Sequence, residues 1–148
     1  MTGCFDILHM GHITAFREAK KFVDYLVIGL ENDQTIKISK GEDRPLNKID
    51  QRMELVSELR SIDLVFEITD VVDYHDVPQE IHPVYLSVTS RLSPDVLFCS
   101  SVADSFWKEK ENRAQALGID FFDLVFPSRV TSSTDLKNRG AIKMLNEL

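Results

Sequence analysis

Four short apolar runs, separated by stretches of helical spacing, constrain this chain to an alternating α/β architecture. The runs are Tyr25-Leu26-Val27-Ile28-Gly29-Leu30, Leu64-Val65-Phe66-Glu67-Ile68, Val96-Leu97-Phe98-Cys99 and Phe121-Phe122-Asp123-Leu124-Val125-Phe126. They are continuous and rich in β-branched and aromatic residues, the pattern of strands covered on both faces. Between them, residues 12–22 place Ile13, Phe16 and Ala19 or Lys20 near one helical face, and residues 51–60 repeat the spacing with Met53, Val56, Leu59 and Arg60. Further helices are predicted over 78–92, with Pro83 breaking its interior, and over 104–117, stopped by Gly118. A last helix is predicted from the caps Ser132-Ser133-Thr134-Asp135 towards Leu148, weakened in its middle by Gly140. Strands alternating with helices give an open parallel sheet with right-handed crossovers and helices on both faces. There is no internal repeat and no low-complexity tract.

The first strand is the exception. A strand should feed the chain into the loop at Gly3, yet only Met1 and Thr2 precede it. A truncated first strand is therefore expected, either a stub or the end of a strand that begins upstream.

A chain of 148 residues suits one domain over 1–148. No apolar run approaches the roughly 20 residues of a membrane-spanning helix, and Met1-Thr2-Gly3-Cys4 is not a signal peptide, so a cytoplasmic protein with no membrane partner is expected. Cys4 and Cys99 show no disulfide or metal-ligand spacing and read as small buried residues at strand ends. The net charge of −7 repels nucleic acid. Within it lies one basic stretch, Lys37, Lys40, Arg44, Lys48 and Arg52, and Arg129 stands alone in a loop-like segment. That distribution points to a small phosphorylated ligand more than to a polymer.

The chemistry concentrates in Gly3-Cys4-Phe5-Asp6-Ile7-Leu8-His9-Met10-Gly11-His12. If the chain leaves a strand, turns, and enters a helix near Gly11, the helix's unpaired amides and dipole form an anion site. His9 and His12, three apart, can both face that site and donate to phosphate oxygens. Gly11 lets the backbone approach the ligand, and Asp6 stands where it could orient a histidine or a metal ion. Zinc is disfavoured, because His-x-x-His supplies two ligands and no third stands nearby.

This segment resembles the GxFDxxHxGH signature of the cytidylyltransferase-like nucleotidyltransferases, a superfamily that includes glycerol-3-phosphate cytidylyltransferase and the heptose-1-phosphate adenylyltransferases. The likeness continues through Ala19-Lys20 and residues 24–33, then through Arg44-Pro45-Leu46-Asn47 with Asp50-Gln51-Arg52-Met53, which is similar to the RPxNxxxQRM stretch of the heptose branch. Ser132-Ser133-Thr134-Asp135-Leu136 resembles the family's STT-x-I helix start. The resemblance covers most of the chain, most strongly its first third. It implies a Rossmann-like sheet and in-line transfer of a nucleoside monophosphate, with ATP or CTP and a phosphorylated small-molecule acceptor as partners. It also implies Mg2+ entering with the triphosphate, and a homodimer.

On that resemblance His9, His12 and Lys37 are the catalytic candidates. Cys4, Phe5, Asp6, Gly11, Asp104, Arg129, Ser132, Ser133 and Thr134 are the nucleotide-binding ones. Lys40, Arg44 and Arg52 would hold the acceptor phosphate, with Lys37 and Lys40 in a loop after the second strand. The chain departs from the family after its fourth strand, where Cys99-Ser100-Ser101-Val102-Ala103-Asp104 replaces a glycine-rich acidic turn. The long stretch between Asp70 and Ser93 also suggests an altered acceptor pocket. Two other readings stand beside the enzyme: a degenerate nucleotide-binding sensor, and a tRNA-synthetase fragment that lacks a lysine-rich second signature.

Overall fold

The computed structural model of the protein describes residues 1–73 and 80–125. The helix predicted from Ser132, together with Arg129, Ser133 and Thr134, lies outside the described residues, as does Phe126 at the end of the last apolar run. The order is β1 (Thr2–Gly3), α1 (Met10–Lys20), β2 (Val27–Glu31), α2 (Asp33–Lys40), α3 (Ile49–Ser57), β3 (Leu64–Ile68), α4 (Pro83–Leu92), β4 (Val96–Cys99), α5 (Trp107–Leu117) and β5 (Asp120–Asp123). Every described strand pair is parallel. The chain adopts the parallel α/β class expected from the alternation, Rossmann-like as the family resemblance implies.

The hydrogen-bonded pairing is divided rather than continuous: β1-β2-β3 form one sheet and β4-β5 a second. The cause lies in β1. Its two residues pair with Gly29 and Leu30 of β2, and the Met1 carbonyl accepts from the Gly29 amide at 2.9 Å. So short a strand has little backbone to offer a second neighbour. Side chains bridge the division instead. Phe98 of β4 and Leu124 beyond β5 share one buried cluster with Phe16 and Ala19 of α1, Ile28 and Leu30 of β2, and Val56 of α3.

The opposite face of β3 carries a second cluster, in which Ile68 and Val72 pack with Tyr85 of α4. Residues alternate across a strand, so Ile28 and Leu30 face the first cluster while Gly29 and Glu31 face the second. Helices thus cover both faces. Gly29 is required by close approach, since a Cβ there would sit 2.7 Å from Phe66 Cζ and 3.2 Å from Thr2 Cγ2. Gly29→Ala is expected to cost about 1–3 kcal/mol through overpacking. A urea midpoint equal to that of the unmodified protein would show that the Phe66 ring yields freely.

Three helix limits differ from the sequence pattern for local reasons. α1 starts at Met10 because the His9 side chain caps it. α4 starts at Pro83, where a missing N–H costs nothing in the first turn, so the proline begins the helix instead of kinking it. α5 starts at Trp107 because the Asp104 carboxylate accepts from the Phe106 amide at 2.9 Å and holds a turn there. The residues expected to form a loop after β2 instead form α2. Asn32 caps that helix by accepting from the Thr35 amide at 2.9 Å, and its Nδ2 donates to the carbonyls of Ile68, Thr69 and Asp70. One side chain therefore starts α2 and ties the ends of β2 and β3 together. Among the described residues, no helix is long and apolar enough to cross a membrane.

Candidate active site

The C-terminal ends of β1 and β2 open onto the loop between Gly3 and His9, the usual place for a ligand crevice in an open α/β sheet. Phe5 has φ +46, a left-handed conformation that is a genuine outlier for a bulky residue. Its ring packs edge-on against His12, with centroids 5.2 Å apart, and against Phe16 at 5.2 Å. The same ring folds back over Gly3, where a Cβ would meet it at 3.2 Å. A strained backbone residue thus supports the imidazole of His12 directly.

His9 and His12 come together as the sequence spacing predicts. Their rings stack with centroids 3.9 Å apart and an interplanar angle of 25°. His9 Nδ1 accepts from the Gly11 amide at 3.2 Å. That fixes its lone pair inward and commits the Gly11 N–H to the cap. His12 Nδ1 is buried with no hydrogen-bond partner among the described residues, and α1 has no acidic residue in its first turn. A buried polar atom left unpaired costs about 1–3 kcal/mol, and a catalytic role is one of the few physical reasons a fold retains one.

Burial pushes the His12 imidazole down from its ordinary 6.5 to about 3, helped by His9 and by the Lys40 ammonium. The ring is therefore neutral at physiological pH. Between pH 6.5 and about 3 the unfolded chain binds a proton at this position that the folded chain refuses. Stability from this group is therefore complete above 6.5 and lost as pH falls through that window. In urea titrations, His12→Gln is expected to show a shallower decline between pH 6.5 and 4 than the unmodified chain; equal slopes would contradict the buried neutral ring.

The basic candidates separate into two groups. Lys40, at the end of α2, is exposed, and its charge acts on both His12 and Cys4. Lys37 pairs with Glu42 at 2.6 Å in an open pocket of about 390 Å³ that Asp33, Arg44 and Lys48 also line. Arg44 and Arg52, expected on the acceptor phosphate, are spent on the protein itself. Arg44 Nη1 donates to Asp6 at 2.7 Å, and both side chains are buried. Arg52 is fully buried, donating to the carbonyls of Cys4 (2.6 Å), Glu31 (2.7 Å) and Asn47 (3.1 Å) and to Asp33 at 2.9 Å.

Asp6 is likewise committed. Besides Arg44 it accepts from the amides of Leu46 and Asn47, while Asn47 Nδ2 donates to its carbonyl at 2.6 Å. Its carboxylate braces the loop and is not presented to a metal or a histidine. Among the described residues, no group of three His, Cys, Asp or Glu is arranged to hold a metal ion.

Asp104, a nucleotide-binding candidate, accepts from Lys110, whose ammonium also donates to the Thr2 carbonyl at 3.0 Å. Burial would raise the Asp104 carboxyl and lower the Lys110 ammonium, but each partner more than reverses this for the other, leaving the acid low and the base high. The glycine-free turn is closed by Ser101, whose amide and hydroxyl both donate to Asp123. Cys4, half-buried, donates its thiol to Glu31 Oε2 at 3.0 Å, and burial pushes that thiol up to about 12, with Glu31 adding to the effect. It is no nucleophile.

Sequence reasoning overlooked Glu31 and Tyr85, whose hydroxyl donates to Glu31 Oε1 at 2.7 Å. The available signal was an acidic residue directly after an apolar parallel strand.

A cytidylyltransferase-like family model matches residues 1–139. The bifunctional protein HldE of Shewanella sediminis is 40% identical over 95 residues, and that of Shewanella putrefaciens 39% over 95. Each match covers 64% of this chain but spans only 17% of the relative's length. The crystal structure of the lipopolysaccharide core biosynthesis protein from Thermoplasma volcanium superposes with a TM-score of 0.63 at 26% identity, covering 86% of this chain and 94% of that one.

Proposed function

The chain belongs to the cytidylyltransferase-like family, and from that premise we propose that it moves a nucleoside monophosphate from an NTP to a small phosphorylated sugar or alcohol. Nucleotidyl transfer as a class is supported by the family and by the HldE relatives. An acceptor phosphate oxygen attacks the α-phosphorus in line, a new P–O bond forms, the bond to the bridging oxygen breaks, and pyrophosphate leaves. Such transfers rest on positioning and charge neutralisation more than on a protein nucleophile.

The observation that carries this reading is the stacked imidazole pair at the start of α1, with His12 Nδ1 buried and unpartnered among the described residues. Burial, with His9 and Lys40 adding to it, keeps His12 neutral in the free protein; an anionic triphosphate beside the pair offsets that penalty, so His12 can carry a proton against the charge growing on the leaving pyrophosphate. Lys40 adds an exposed cation from the end of α2. Arg44 and Arg52 serve indirectly, by holding the loop that presents the histidines. Magnesium belongs to this reading as the counter-ion that travels with the NTP. The described residues are not arranged to ligate it, Asp6 being engaged by Arg44 and two amides, and no step is assigned to it.

Arg44-Pro45-Leu46-Asn47 and Gln51-Arg52-Met53 favour the ATP-using sugar-phosphate branch over the CTP-using one. The test is a magnesium-supplemented screen for pyrophosphate release across NTPs and phosphorylated acceptors, with ATP and a sugar phosphate the expected productive pair. One observation favours a ligand sensor, namely that Asp104 is engaged by Lys110 where the family carries a glycine-rich acidic turn. Tight NTP binding with no pyrophosphate release for any acceptor would establish the sensor and overturn the enzyme.

A further inference from the structure

We propose that the buried hydrogen-bond chain Tyr85–Glu31–Cys4 holds the histidine-bearing loop in its working geometry, which makes Glu31 and Tyr85 positioning residues for the transfer reaction. The proposal rests on the reading above for its link to catalysis, while its structural core stands independently of turnover.

Glu31 ends β2 with 6% of its surface exposed, and Tyr85 on α4 has 2%. Burying a carboxylate is costly unless it is hydrogen-bonded. Here its two oxygens take a donor each, the Tyr85 hydroxyl at 2.7 Å and the Cys4 thiol at 3.0 Å. Cys4 is the first residue past β1, and its carbonyl is fixed by Arg52 Nη1 at 2.6 Å, while Arg52 Nη2 holds the Glu31 carbonyl at 2.7 Å. The ends of β1 and β2 are thus joined twice, through the guanidinium on the backbone side and through the carboxylate on the side-chain side.

Directly after this double link comes Phe5 in its left-handed conformation, and the Phe5 ring bears on His12. A residue held in an unfavourable conformation keeps it only while its surroundings over-determine it. Loosening Cys4 lets Phe5 relax and releases the edge contact that orients the His12 ring. Tyr85 is itself seated firmly, inside the cluster of Ile68 and Val72 and beneath the Arg113 guanidinium at 5.0 Å. The chain therefore runs from the packed face of β3 and α4 to the loop without passing through solvent.

The experiment compares Tyr85→Phe and Glu31→Gln with Ile68→Val, which trims the same apolar cluster without touching the carboxylate. Tyr85→Phe and Glu31→Gln are expected to lower kcat about 10-fold, the scale of a small misplacement of a reacting group, with KM for the NTP within about twofold. Ile68→Val should keep turnover. In a His12→Ala background the loss from Glu31→Gln should vanish, because residues acting as one unit are not additive. Equal losses for Tyr85→Phe and Ile68→Val, or full additivity with His12→Ala, would overturn the proposal. A second arm needs no turnover: NMR of the imidazole resonances should show His12 displaced in Tyr85→Phe and Glu31→Gln but not in Ile68→Val. Unmoved His12 resonances would overturn the positioning role even in an active enzyme. An unmodified protein that releases no pyrophosphate, with His12 shifted in both variants, would instead overturn only the assigned reaction.

Discussion

His12→Ala is expected to reduce turnover by at least about 100-fold, the usual loss when one group that stabilises transition-state charge is removed. Stability should change little, within about 1 kcal/mol. The two expectations share a cause. The imidazole loses edge contact with Phe5 and stacking with His9 on replacement, but the same change removes a buried nitrogen that has no partner among the described residues. Lost packing and a relieved unsatisfied group pull in opposite directions. Pyrophosphate release and urea unfolding, measured on one preparation, check both. Near-normal turnover would sink the assignment of His12, and a collapse in stability would show that the ring is a packing element first.

Arg52→Ala should have a large structural effect, a loss of about 3–5 kcal/mol, because it leaves the carbonyls of Cys4, Glu31 and Asn47 without their donor, and each unsatisfied group costs about 1–3 kcal/mol. The guanidinium ties together the first residue after β1, the end of β2, the first residue of α2 and the loop before α3. For a protein with a typical margin of about 5–15 kcal/mol, that is a large fraction of the whole. Arg52→Lys should recover only part of it, since one ammonium cannot span four acceptors in a planar fork. Urea midpoints by circular dichroism measure the effect. If Arg52→Ala unfolds at an unchanged urea concentration while the acceptor KM rises, Arg52 is a substrate clamp after all and the internal-strut reading fails.

Arg52 also shows how far the sequence could be read. Its place in a run of basic residues beside a phosphate motif suggested a ligand contact, and so did that of Arg44. Both lie inside the protein, because each has acceptors that arrive from far along the chain: Asp6 is 38 positions from Arg44, and Cys4 is 48 positions from Arg52. Lys40 stayed outside because α2 ends there. The helix itself went unread because only Thr35 and Ile36 are buried along it, too narrow a stripe to give a periodic signal. Its start depends on the Asn32 cap, whose remaining hydrogen bonds go to the end of β3.

The histidine pair was legible for the opposite reason. Its geometry is local: two residues three apart across a helix start must lie close whatever the rest of the chain does. The apolar runs likewise determined strands and, by their alternation with helices, a parallel α/β layout, since backbone pairing and two-sided burial act on each run by itself. Only the tertiary structure decided which charges the site keeps. It turned Asp6, Arg44 and Arg52 inward, engaged Asp104 with Lys110, and brought Tyr85 to Glu31 across 54 positions of chain. Burial of a charge is decided by partners that are distant in sequence, because a charged group can leave water only where opposite charges and hydrogen bonds meet it.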